Sequence, residues 1–104
     1  MLISTTDRIE GRSISETLGL VRGSAIRTRH VGRDIVATLR NIVGGEVPEY
    51  TKMMAQSREQ AIKRMIEDAE KHGADAIVGV RFTTSMVMSG AAEMLAYGTA
   101  VKVE

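Results

Sequence analysis

The sequence predicts an α+β domain: a small sheet of about four strands with two helices, in the order β-β-α-α-β-β. Three observations predict it. Residues 49–84 read as one long amphipathic helix, a glycine stop at Gly73 and a strand over residues 76–82. Residues 31–43 carry a second helical period. Both ends of the chain alternate apolar and polar residues with the period of a strand.

The elements follow in order. Residues 2–6 suit a short strand, and the polar run through Gly11 reads as a turn. A long strand is expected from about Ser13 to Arg29, bent or bulged and broken near Gly23. One set of alternate residues there, Thr17, Gly19, Val21 and Gly23, is nearly smooth, as a close backbone approach requires. Ile35, Val36, Leu39, Ile42 and Val43 share one helical face, and Gly44-Gly45 ends that helix. Tyr50, Met53, Met54, Ser57, Ala61, Ile62, Met65, Ile66 and Ala69 form a continuous stripe on the next helix. Ser57-x-x-Gln60 matches a capping box, but the stripe runs through it, so one helix is expected. In the following strand Ala76, Val78, Val80 and Phe82 alternate with Ile77, Gly79, Arg81 and Thr83. Ser89-Gly90 marks a turn, and Leu95, Tyr97, Thr99, Val101 and Val103 give a final strand. Its other face, Ala96, Gly98 and Ala100, lets a helix or a neighbouring subunit come close.

Composition narrows the function classes. The 104 residues make one domain, 1–104, with no internal repeat or linker. A chain of this size buries only roughly 60–65% of its unfolded surface. Aromatic residues number three, so the core is lean and help from oligomerisation is expected. Cysteine is absent, which excludes disulfides, thiolate metal sites and cysteine nucleophiles. No apolar run approaches the ~20 residues of a membrane span, and the N-terminus lacks signal-peptide character. A cytoplasmic location is the default expectation, with no membrane partner. The net charge of +1 gives no nucleic-acid footprint, so no nucleic-acid partner is expected. Residues 1–45 hold seven Arg against four acids, whereas residues 46–104 hold seven basic residues against nine acids. Complementary pairing between subunits and ordinary solvated surface both explain that asymmetry.

Reactive motifs are missing. His30 and His72 lie far apart, with no metal-ligand spacing around either. No phosphate-binding glycine motif, nucleophile–His–Asp arrangement or paired-carboxylate pattern occurs. No catalytic residue, metal ligand or cofactor is therefore assigned. The methionines at helical spacing are core filler in the simplest reading. One cluster stands out: Arg22, Arg27, Arg29 and Arg33, with His30 among them. Guanidinium forks and a helix N-terminus favour a small anionic ligand there. A solvated edge or inter-subunit pairing accounts for the same residues.

Several stretches are recognisable together. They are Thr5-Thr6, Ile9-Glu10-Gly11, Leu18-Gly19-Leu20-Val21 with Gly23 and Ala25-Ile26, and Gly32-Arg33-Asp34-Ile35 leading to Arg40-Asn41-Ile42-Val43-Gly44-Gly45. Tyr50, Arg58-Glu59, Gly73-Ala74-Asp75-Ala76-Ile77-Val78-Gly79-Val80 and Gly98-Thr99-Ala100-Val101 follow. In this set and order the chain resembles the YbjQ family of small bacterial and archaeal proteins. The resemblance implies a subunit of a ring-shaped homo-oligomer, a pentamer, and supplies no reaction. The family also carries a heavy-metal-binding label, to which this sequence adds no thiol and no convergent histidines. A non-enzymatic homo-oligomeric binding or scaffolding protein is expected, with itself as partner. The alternatives are a metal-binding protein, or an enzyme or ligand-binding protein whose site forms between subunits. A closed ring needs two different complementary patches per subunit, and the Arg22–Arg33 region is expected to form part of one.

Overall fold

The computed structural model describes residues 1–27, 48–88 and 91–104. A short strand β1 (Leu2–Ile3) precedes a long strand β2 (Ile14–Arg27). Helix α1 (Pro48–Lys71) leads to strands β3 (Ala76–Met88) and β4 (Ala91–Val103). The helix expected over residues 31–43, its Gly44-Gly45 stop and the Ser89-Gly90 turn lie outside the described residues. One helix is present among the described residues, against the two expected. The sheet order is β1-β3-β4-β2. β1 pairs parallel to β3, and β4 runs antiparallel to both β3 and β2, so the sheet is mixed.

Helix α1 runs unbroken through Ser57-x-x-Gln60, as the continuous stripe predicts. Ser57, Ala61, Met65 and Ala69, one per turn, are its buried line. Ala61, Met65 and Ala69 pack on Val21 of β2 and on Met94, Ala96 and Ala100 of β4. The helix is seated mainly on β2, and Ala96 and Ala100 of the smooth β4 face complete its bed. α1 lies over β2 and β4 and barely reaches β3. The helix closes at Gly73, whose φ of 74° suits glycine, with the Ala74 amide donating to the Ala69 carbonyl at 3.1 Å.

Met65 is the largest fully buried side chain. Met65→Ala removes its thioether from the middle of the core and is expected to cost about 3 kcal/mol. Urea unfolding would show this as a lower midpoint with an unchanged slope.

Two sequence expectations are corrected. β2 is not broken near Gly23, where its pairing with β4 is continuous. The irregularities fall earlier, between Ile14 and Glu16 and between Thr17 and Gly19. Gly23 serves instead as a landing point for the helix backbone. A Cβ there would overlap the Met65 amide nitrogen and the Ala61 carbonyl oxygen, and would sit 2.7 Å from the Arg64 carbonyl carbon.

The second correction concerns β3. Simple alternation puts Val78 and Val80 on one face. A bulge at Gly79, with φ 64°, shifts the phase, so Ile77 and Val80 both enter the core under α1. Ala76 and Val78 turn to the opposite face, where they pack with Val101, Ile9 and Val103. The bulge also frees the Gly79 and Val80 amides to meet the N-terminal segment. They donate to the Thr6 and Ser4 carbonyls at 2.8 and 3.0 Å.

Candidate functional site

The chemistry-bearing surface forms where α1 meets the outer edge of β2. An edge strand leaves alternate backbone groups unpaired. Here the helix supplies the partners. Asp68 Oδ2 accepts from the Arg22 amide at 3.1 Å, and Arg64 Nη1 donates to the Ser24 carbonyl at 2.5 Å. Asp68 and Arg64 lie four residues apart, on one face of α1, so both reach the same edge. Asp68 is steadied in turn by its own helix end: His72 Nδ1 lies 2.8 Å from the Asp68 carbonyl oxygen and 3.9 Å from Oδ1.

This junction shapes a cleft of about 520 Å³, lined by Arg22, Gly23, Ser24, Arg64, Glu93 and Leu95. Leu95 is its apolar side chain, and its charges are two guanidiniums and one carboxylate. The register sets Arg22 across from Tyr97, Ser24 from Leu95 and Ile26 from Glu93. Arg22, Ser24, Leu95 and Glu93 therefore share the sheet face opposite α1, while Arg64 comes round the strand edge to join them. Arg22 and Arg64 are exposed and Glu93 is half-buried.

Of the predicted cluster, Arg22 is in this cleft. Arg27 ends β2, with its backbone opposite Ala92. Arg29 and Arg33, with His30, lie outside the described residues. Sequence reasoning placed neither Arg64 nor Glu93 with Arg22. Neither is near Arg22 in the chain, and only the seating of the helix on Gly23 brings Arg64 to the strand. The smooth set ending at Gly23 was the available signal.

A second, larger cleft of about 680 Å³ sits in the N-terminal segment, where Leu2, Ile3, Ile9, Arg8 and Arg12 are among its lining residues. Arg81 Nη1 pins that segment to β3 by donating to the Thr5 carbonyl at 2.8 Å.

The donor set was compared with the needs of a heavy metal. No three His, Asp or Glu side chains converge among the described residues. His72 with Asp68 offers two donors from one helical turn, and the chain has no thiol for a soft ion. The described residues do not fit such a site. Among them, no helix is long and apolar enough to cross a membrane.

The YbjQ family model, described as "Putative heavy-metal-binding", matches residues 1–104. A UPF0145 protein of Methanosarcina acetivorans is 63% identical over 103 residues, covering 99% of this chain and 97% of that one. A UPF0145 protein of Methanococcus maripaludis is 61% identical over 104 residues, covering 100% and 93%. One from Clostridioides difficile is 57% identical over 104 residues, again covering 100% and 93%. Among solved structures, a DUF74-family protein of unknown function from Pediococcus pentosaceus superposes with a TM-score of 0.67 at 18% identity, over 100% of this chain and 98% of that chain. That likeness shows a shared fold. With a family model spanning its full length and relatives at this identity, the chain belongs to the YbjQ family.

Proposed function

We propose that the protein acts as a non-enzymatic homo-oligomer, a ring of five copies, that binds a small anion at Arg22. One observation carries the assembly: two separate apolar patches are left uncovered on opposite faces of the sheet. On the helix side, Phe82 and Met86 of β3 stand beyond the reach of α1 and are 43% and 76% exposed. On the other side, Leu20 and Ile26 of β2 are 65% and 52% exposed and flank Arg22, so a neighbouring copy seated there borders the anion site. Two unlike patches on one subunit suit a head-to-tail contact, the kind that closes into a ring. The outer edge of β3 supports the same reading. Val80 donates its amide outward, to Ser4. Strand alternation then directs the amides of Phe82, Thr84 and Met86 to that edge, where no described strand pairs with them.

Light scattering on the purified protein tests the stoichiometry. Five copies of the 11.3 kDa chain are expected in one particle. A particle of one or two copies across the micromolar range would remove the ring reading.

A further inference from the structure

We infer that the Arg22–Arg64–Glu93 cleft takes a small zwitterion, a molecule carrying a carboxylate and an amine joined by a short apolar spacer. The inference rests on the anion reading of Arg22 and adds a second, opposite requirement to it.

The charges in the cleft are available. Among the described residues, no hydrogen bond or ion pair engages the Arg22 guanidinium or the Glu93 carboxylate. Arg64 donates to the Ser24 carbonyl from Nη1 and keeps the other donors of its fork. Nor do Arg22 and Glu93 neutralise each other. Glu93 pairs with Ile26, four residues beyond Arg22, which is about 13 Å along a strand. Side chains standing off the sheet at that spacing leave a gap between their charged ends, and a ligand with opposite charges at its two ends fits it.

The polarity of the cleft selects the ligand class. Two guanidiniums on the Arg22–Ser24 side match a carboxylate, which accepts from both forks. A half-buried carboxylate at the other end matches an ammonium and repels a simple anion. Between them Leu95, across from Ser24, is the apolar side chain of the cleft, against which a few methylenes can lie. At about 520 Å³ the cleft is in the size range of small-molecule sites.

The test compares 4-aminobutyrate with butyrate, which differ only by the amine, on the full-length protein. Amide and guanidinium chemical shifts at Arg22, Arg64 and Glu93 report occupancy. 4-Aminobutyrate is expected to bind about tenfold more tightly than butyrate. Glu93→Gln is expected to erase that difference and to leave butyrate bound at least as well, whereas Arg22→Gln weakens both. Equal affinities in the unmodified protein would overturn the zwitterion and leave the anion site standing. No shift at Arg22 or Arg64 with either compound would overturn both.

Discussion

Gly23→Ala is expected to lower the melting temperature by about 10–20 °C, measured at fixed protein concentration. Local preference points the other way. Gly in a strand interior is a weak strand former, and any side chain there removes unfolded-state entropy. Space decides the outcome. The added Cβ would meet helix backbone, the Met65 amide and the Ala61 carbonyl, and backbone cannot rotate away as a long side chain can. The helix must lift, and with it the contacts of Met65 and Ala69 on Ala96 and Ala100. Overpacking of this kind costs about 1–3 kcal/mol or more, and for a domain near 100 residues each kcal/mol shifts the melting temperature by about 4–8 °C. A melting temperature that stays the same or rises would mean that α1 is not seated on Gly23.

Met86→Lys is expected to reduce the oligomer to single chains, and Leu20→Lys to do the same. Each substitution sets an ammonium on an apolar patch that the ring reading buries, and a charge buried without a partner is strongly unfavourable. Neither residue belongs to the subunit core: Met86 is 76% exposed and Leu20 is 65% exposed, so the fold of the chain should survive. Far-ultraviolet circular dichroism checks that, and light scattering reads the mass. The pair of variants separates two assemblies. In a head-to-tail ring either change breaks every contact. If Met86→Lys dissociates the particle while Leu20→Lys leaves the mass unchanged, β3 meets β3 in a two-fold contact and the ring is excluded.

Much of this architecture was legible because it follows repeating patterns. The stripe from Ser57 to Ala69 dictated α1, Gly73 its end, and the alternation after Ala76 the strand. The smooth Ala96–Ala100 face announced that something would pack closely. The phase change at Gly79 was not legible. A strand with or without a bulge has the same local composition, and only pairing with β4 and the N-terminal segment reveals which amides turn outward. The candidate site divides in the same way. Arg22 stood out by charge and position. Nothing in the sequence joins Arg64 and Glu93 to it, because their meeting depends on the distance between helix and strand, which Gly23 sets.

The Asp68 and Arg64 contacts to β2 bear on how far copies of this protein can add to one another. An endless ribbon of sheets, the route to fibres, requires each molecule to offer two live edges. The β3 side is open from Phe82 onward among the described strands. On the far side, the Arg22 amide and the Ser24 carbonyl are already occupied by the helix. An incoming strand would have to displace an arginine and an aspartate before it could pair at the middle of β2. Edge-to-edge growth therefore stalls at that strand, and the chain can carry a long, β-branched, partly bare strand in β3 without seeding a filament.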